Sequence, residues 1–316
     1  MLSIFRKNSF FNSLMLLVYA IVLQIIPAIW GHQFYDQVPL GGPFTPVFHI
    51  LLLFVQAVFI NKMVIENRLH REIMLFPGLF FILFSSLIPP FWGMSHIHLA
   101  NFFVIWGLFE LFQIYKTGNP AIHIFNASFL IGIASIICPP VAIYLLLIFL
   151  GINNLKKMEL VHILQIFIGG FIPWFLWITF KIWNGHESDI TQVLPAHFGN
   201  NFFKFSGSPL DYVYLIVFGV LCLYLLVSFN EIRKKKHIQA QKKVDILFLS
   251  LITSLVVLIF HQYLDNSVLL FTVPYIGIFI GLQFSNIRNN GVAEMLHFIL
   301  FATIIIYQIL TYFKFS

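Results

Sequence analysis

Long runs of apolar residues, separated by short polar gaps, fill almost the whole chain. A helix needs about 20 mostly apolar residues to cross the hydrocarbon core of a bilayer. By that measure the sequence predicts an all-α transmembrane bundle of eleven spans, of which the sixth is the shortest. The predicted spans are Asn12–Trp30, Phe44–Ile65, Ile73–Gly93, His96–Tyr115, Ala121–Ile137, Val141–Ile152, Leu160–Trp183, Tyr212–Phe229, Ile246–Leu264, Val268–Phe284 and Ala293–Tyr312.

Proline and glycine mark special positions within these runs. Pro139–Pro140 separates the fifth span from the sixth by almost nothing, which predicts a tight hairpin or a pair of half-spanning helices. Pro89–Pro90 is expected to kink or end its helix, because proline lacks the N–H that an interior helical residue donates. Gly132 with Ser135, and Gly169–Gly170, form two small-residue faces where helices can approach closely.

Lysine and arginine are concentrated in every second gap between the runs. If the N-terminus is inside the cell, 15 of the 18 cations are cytoplasmic and three are outside. Cytoplasmic loops of membrane proteins carry such an excess, so the pattern predicts the N-terminus inside and the C-terminus outside. Removing the short sixth span would reverse every later loop. The inner cations are Arg6, Lys7, Lys62, Arg68, Arg71, Lys116, Lys156, Lys157, Arg233, Lys234, Lys235, Lys236, Lys242, Lys243 and Arg288; the outer ones are Lys181, Lys204 and Lys314.

The composition excludes a soluble domain. Charged residues make up 9% of the chain and hydrophobic residues 59%, whereas about 25% charged residues is usual in soluble domains. The mean hydropathy is +0.91, which suits helices that satisfy their own backbone and contact lipid. Basic loops facing anionic headgroups explain the net charge of +6, so the charge does not indicate binding of nucleic acid.

The chain is therefore predicted to form a single integral membrane domain over residues 1–316. Two of its connecting segments are longer than the others. Residues 184–210 are predicted to form an outer-face loop that mixes phenylalanine with polar residues, and residues 230–245 a basic cytoplasmic loop.

Acidic and imidazole side chains collect at the predicted outer face. Asp36 lies in the first outer loop, and His96 and His98 begin the fourth span. Such groups can transfer protons or bind a cation, so all three are candidate catalytic residues; alternatively, positive-inside sorting simply leaves acids on this side. Lys181 and Lys204 are candidate ligands for a substrate phosphate because cations are scarce there. The alternative for Lys181 is that its side chain only extends to the lipid headgroups.

No metal site is predicted. His96 and His98 lie two residues apart, about 200° around a helix, so both could reach one ion only if the chain were extended there. The close histidine sets of membrane diiron enzymes, HxxxH and HxxHH, do not occur. No cofactor is predicted, although the sequence leaves a divalent cation at the outer face open.

Glu110 is an ionisable residue well inside a predicted span, where facing lipid would cost at least about 2.5 kcal/mol. At 1.5 Å of rise per residue, Glu110, Asn61, Asn126 and Gln165 all lie about 6–8 Å from the inner ends of their helices. We expect the four side chains to converge in one buried polar layer. That layer would be either a proton or ligand site or a set of hydrogen bonds that joins helices.

Four stretches together resemble an uncharacterised family of multi-pass inner-membrane proteins of Bacteroidota, and the resemblance covers most of the chain. They are Phe59–Leu69 (FINKMVIENRL), Ser85–Pro90 (SSLIPP), Phe125–Ile152 (FNASFLIGIASIICPPVAIYLLLIFLGI) and Gly169–Trp174 (GGFIPW).

The order of helices in the middle of the chain is also similar to the C-type fold of glycosyltransferases that use polyprenyl-phosphate sugars. It consists of a short helix ending in Pro, a helix ending in Tyr-Lys, and a Gly-Ile-Ala-Ser helix followed by Pro-Pro. This resemblance implies a catalytic acid in the first outer loop, the position of Asp36. The family's first outer loop is usually much longer than Gly31–Pro43, and its further acidic motifs are absent here.

The sequence leads us to expect a glycosyltransferase-like protein of envelope biogenesis in the bacterial inner (cytoplasmic) membrane. It would handle a lipid-linked, polyprenyl-phosphate substrate at the outer leaflet, with Asp36 as the base or the cation-holding carboxylate. The alternative is a non-catalytic membrane subunit of an export or surface-assembly complex. The expected partners are lipids in both cases, with a lipid-linked substrate in the first and another membrane protein complex in the second.

Overall fold

A computed structural model describes residues 2–30, 44–70, 72–115, 120–185, 209–234, 236–261, 266–287 and 289–315. Within these ranges the chain forms α-helices and short 3-10 helices, and no β-strand. The eleven α-helices found there are α1 (Phe10–Trp30), α2 (Thr45–Glu66), α3 (Phe76–Phe84), α4 (His96–Gln113), α5 (Ala121–Ile137), α6 (Tyr144–Leu155), α7 (Leu160–Trp183), α8 (Pro209–Lys234), α9 (Ile238–Phe260), α10 (Val273–Ser285) and α11 (Asn290–Phe315).

Six of the described helices are long and apolar enough to cross a membrane: α1, α2, α7, α8, α9 and α11. This confirms a multi-pass, all-helical membrane protein. Other helices are much shorter, such as α3 with 9 residues and α10 with 13. A nine-residue helix is about 14 Å long, roughly half of the hydrocarbon core. Eleven complete crossings therefore remain a prediction.

Short 3-10 helices interrupt the apolar runs at three places: one inside a predicted span, one at the predicted Pro139–Pro140 break, and one at the start of a predicted span. One covers Pro89–Phe91 after α3, a second covers Pro139–Ile143 before α6, and a third covers Asn266–Phe271 before α10. Proline lies in or beside each of these breaks. At the first break, Ile88 adopts an extended backbone (φ −125°, ψ 148°), as expected for a residue that precedes proline.

The helices belong to two compact units, and the first is assembled from Met1–Ser95, Gly219–Lys236 and Val273–Ser316. Its centre is the pair α3 and α10, which approach very closely. A Cβ atom added to Gly277 would lie 2.7 Å from the backbone nitrogen of Phe81. Every residue of α3 is buried, so this short helix is the core of the first unit.

Polar contacts fasten α1 to α11 within the first unit. The Tyr19 hydroxyl lies 3.0 Å from Nε2 of His297. Farther along, the Gln308 amide donates to the carbonyl oxygens of Leu23 (3.1 Å) and Ser86 (3.2 Å). All of these side chains are buried, where hydrogen bonds are expensive to leave unmade.

The second unit comprises His96–Phe218 and His237–Thr272, and its tightest contact is between α5 and α7. A Cβ atom on Gly132 would lie 2.7 Å from the carbonyl oxygen of Gly170. One on Gly169 would lie 2.8 Å from the carbonyl oxygen of Phe125. The indole of Trp174 donates to Ser135 Oγ over 2.7 Å. Helices therefore approach closely at both small-residue faces predicted from the sequence, and the structure shows that the two faces meet each other.

The segment 230–245, which the sequence assigns to a loop, is largely helical. α8 continues to Lys234, and α9 already begins at Ile238. Charged residues lower the hydropathy of this stretch, but lysine and glutamine are good helix formers, so both helices extend beyond their apolar runs. Of the predicted outer-face loop 184–210, residues 186–208 lie outside the described ranges.

Candidate functional site

Among the described residues of the second unit, the shortest contact between ionisable side chains joins Glu110 on α4 to His123 on α5. Glu110 Oε2 lies 2.7 Å from His123 Nδ1. The Glu110 side chain is 16% exposed and the His123 side chain 25% exposed, so both are largely buried. A carboxylate and an imidazole in hydrogen-bond contact can share or pass on a proton.

The hairpin of α4 and α5 explains why these two residues meet. Glu110 lies three residues before the last residue of α4, and His123 is the third residue of α5. Two antiparallel helices joined by a short connection place such positions at the same level. The rise of about 1.5 Å per residue that places Glu110 near the predicted inner end of α4 places His123 at the same level on α5. The sequence alone could therefore have identified His123 as the partner of Glu110.

Asn126 and Gln165 belong to the same unit as this pair. Asn126 is half-buried, one helical turn beyond His123 on α5. Gln165 lies on α7, and its Oε1 is buried with no hydrogen-bond partner among the described residues. Neither residue hydrogen-bonds to Glu110 within the described ranges, so a single polar layer remains a prediction.

Asn61 belongs to the first unit, where it has a structural contact of its own. Its Oδ1 accepts a hydrogen bond from the backbone N–H of Gly78, over 2.8 Å. That N–H is in the first turn of α3, where backbone donors have no partner within the helix. The side chain of Asn61 on α2 therefore caps α3 through its Oδ1, while its Nδ2 is buried with no hydrogen-bond partner among the described residues.

Lys243 adds an unexpected buried cation to the second unit. It was grouped with the cytoplasmic loop cations, yet it is only 3% exposed. Its Nζ lies 5.5 Å from the ring centroid of Tyr115 and 6.0 Å from that of Phe112. Aromatic faces attract a cation electrostatically. Phe112 at the end of α4 and Tyr115 just beyond it therefore contact the ammonium group where water would otherwise lie.

The outer-face candidates divide into described and undescribed residues. Asp36 and Lys204 lie outside the described ranges. His96 is exposed at the start of α4, whereas His98 is buried two residues later. The helix thus separates the two imidazoles, as the predicted angle requires, and they do not form one cation site. Lys181 on α7 lies with its Nζ 5.8 Å from the ring of Trp177.

Beyond His98, the same end of α4 buries a further polar residue that the sequence did not single out. Asn101 has no exposed surface, and neither its Oδ1 nor its Nδ2 has a hydrogen-bond partner in the described part of the chain. α4 also packs against the 3-10 helix Asn266–Phe271. Asn266 in turn donates to Asp211 Oδ1 over 2.9 Å.

Over the described ranges, no group of three or more His, Cys, Asp or Glu side chains is arranged to hold a metal ion. Searches of family models, curated proteins and solved structures found no match for this chain.

Proposed function

We propose that this chain is a bacterial inner-membrane protein of envelope biogenesis that handles a lipid-linked, polyprenyl-phosphate substrate at the outer leaflet. The proposal includes eleven membrane segments, with the N-terminus inside and the C-terminus outside. It is supported by the 15 to 3 division of cations between alternate gaps and by the similarity to the C-type fold. In this proposal Asp36 is the base or cation-holding carboxylate, and Lys181 and Lys204 contact the phosphate.

The observation that carries the proposal is the buried, unpartnered amide of Asn101. Leaving a buried polar group without a hydrogen bond costs about 1–3 kcal/mol, so such a group calls for an explanation. An asparagine amide both donates and accepts, which matches a phosphate oxygen on one side and a sugar hydroxyl on the other. Under the proposed orientation Asn101 and His98 lie toward the outer leaflet, where such a headgroup would be presented.

Native mass spectrometry of protein purified from its host in gentle detergent tests the proposal. Wild-type protein should retain a polyprenyl-phosphate lipid. Asn101→Leu should reduce its retention by about tenfold to 150-fold, the effect of losing a hydrogen bond to a charged group worth about 1.5–3 kcal/mol. The matched control is Asn230→Leu at an exposed position of α8, which should retain lipid like the wild type.

Asp36→Asn separates catalysis from binding, because it should retain the lipid yet abolish the cellular phenotype. The alternative, a non-catalytic subunit, predicts a different outcome. In that case Asp36→Asn and Asn101→Leu would both leave the phenotype intact, and the protein would co-purify with another membrane complex in place of a lipid.

A further inference from the structure

A groove in the first unit is not used by the proposed function. Its volume is about 370 Å³, and it lies beside the end of α8 that leads to Lys234. Helices α8, α10 and α11 supply its walls. The lining combines apolar and polar residues: Tyr224, Ser228, Glu231, Ile232, Gln283, Phe284, Asn286, Ile287 and Leu296.

Hydrogen bonds fix the polar side of this groove. The Tyr224 hydroxyl donates to Gln283 Oε1 over 2.9 Å, which joins α8 to α10. Asn286 Nδ2 donates to the carbonyl oxygen of Leu282 over 2.9 Å. Next to it, Ser285 Oγ lies 2.9 Å from His70 Nε2. The polar wall is therefore held by one contact between helices, one within the end of α10 and one to His70, and does not depend on a ligand for its shape.

Cations lie near the end of the groove where α8 ends. Arg233 and Lys234 form the last turn of α8, directly after the lining residue Ile232. Lys236 acts electrostatically on His70, whose ring also interacts with Asn286 in the groove wall. Glu231 is the one acidic side chain of the lining. Positive charge thus exceeds negative charge where the groove leaves the apolar part of α8.

We propose that this groove seats the headgroup of an anionic phospholipid from the surrounding leaflet. Its phosphate would lie toward Arg233 and Lys236, and its first acyl carbons would lie against Ile232, Phe284 and Leu296. The membrane-spanning stretch of α8 ends at Lys234, so the groove opens at the level where headgroups lie. The apolar walls disfavour a fully hydrated anion, and 370 Å³ lies in the usual range for a small-molecule pocket, about 300–1,000 Å³.

The test compares retention of phosphatidylglycerol and phosphatidylcholine by the full-length protein, measured by native mass spectrometry after reconstitution into mixed vesicles. Each cation near a membrane surface contributes about fivefold to the binding of anionic lipid. Arg233→Gln with Lys236→Gln should therefore lower the preference for phosphatidylglycerol by about 25-fold. Lys62→Gln is the matched control, an exposed cation of the same unit, and should change the preference by less than twofold.

Ser228→Phe distinguishes the groove from general attraction to a basic surface, because it fills the space and leaves every charge in place. We expect it to abolish phosphatidylglycerol retention while the protein still unfolds at the wild-type temperature. Full retention in Ser228→Phe would overturn the proposal. The proposal would also be overturned if inorganic phosphate without lipid protected the protein from unfolding as well as phosphatidylglycerol does. A second copy of the chain bound in place of the lipid would overturn it too. None of these readings involves Asp36 or Asn101, so the result is independent of the outer-leaflet proposal.

Discussion

The contact between Glu110 and His123 can both stabilise the fold and transfer a proton. Their 2.7 Å contact joins α4 to α5, and a hydrogen bond to a charged group contributes about 1.5–3 kcal/mol. A carboxylate and an imidazole in this contact can also transfer a proton. Glutamine at position 110 separates these roles, because it keeps a hydrogen bond but cannot ionise.

Glu110→Ala should lower the free energy of unfolding by about 1–3 kcal/mol, and Glu110→Gln by less. The measurement is thermal or denaturant unfolding in detergent, with His123→Ala and the double variant completing a cycle. Glu72→Ala, at an exposed position, is the control. A coupling energy near zero would show that the contact does not stabilise the fold. Unchanged function in Glu110→Gln would leave only a structural role.

His70 gives a second prediction at this scale, which concerns pH. Burial, and to a lesser degree the charge of Lys236, lowers the pKa of His70 below its usual 6.5. Below about pH 6.5 the unfolded chain takes up a proton that the folded protein resists. Stability should therefore decrease as the pH falls from 6.5 through the lower pKa of the folded state.

His70→Gln should lessen this acid-induced loss of stability, measured as the fall in Tm between pH 8 and pH 5.5 relative to wild type. His237, at the exposed start of α9, provides the control His237→Gln, which should leave the fall unchanged. An equal fall in the wild type and in His70→Gln would contradict the assignment.

Helices in this molecule are held together by close contact between their backbones at glycine as well as by side-chain packing. α5 meets α7, and α10 meets α3, at glycines whose missing Cβ allows contact with the neighbouring backbone. Such approach is common where lipid removes the hydrophobic drive for helices to associate. Small-residue spacing is visible in sequence, so close approach was predictable at Gly132 and at Gly169–Gly170, but only the structure shows that these glycines pack α5 against α7.

Gly132→Ala should destabilise the protein by about 1–3 kcal/mol, the usual cost of overpacking, because its new Cβ would lie 2.7 Å from a backbone oxygen that cannot easily shift. Gly219→Ala is the matched control, since nothing lies within 4 Å of its added Cβ. That variant should be neutral or should gain about 0.5–1 kcal/mol of helix propensity. Equal effects of the two substitutions on unfolding would refute close α5–α7 packing.

The lengths of the helices were harder to predict than their existence. Hydropathy located every α-helix of the described ranges, but it averages over breaks, so the early end of α3 was indicated only by Pro89–Pro90. The burial of Lys243 was equally hidden, because a lysine among other cations suggests a solvated face. Only the three-dimensional placement of Phe112 and Tyr115 shows that aromatic rings receive it.

Sidedness is the property of the whole molecule on which the proposed function depends. Composition and cation spacing suffice to predict a membrane protein, and the six long apolar helices confirm that class. The chemistry at the outer face could not be resolved in the same way, because Asp36 and Lys204 lie outside the described residues.

Cysteine labelling of intact cells provides the test of sidedness. The native Cys138 and Cys222 are buried, so their background reaction with a membrane-impermeant maleimide should be low. Asp36→Cys should react in intact cells, and Lys234→Cys, exposed at the end of α8, only after the cells are opened. Reaction of both positions from the same side would overturn the proposed orientation and, with it, the outer-leaflet function.

The contacts between α1 and α11 have a consequence for the order of events during synthesis. The Leu23 carbonyl accepts a hydrogen bond from Gln308, and the Tyr19 hydroxyl contacts His297. The ribosome adds these two partners nearly 300 residues later. At roughly 5–20 residues per second, α1 waits on the order of 15–60 s in the bilayer before these partners emerge. During that interval its buried polar groups need temporary protection, so the nascent chain should depend on an insertase or chaperone until translation of α11 is complete.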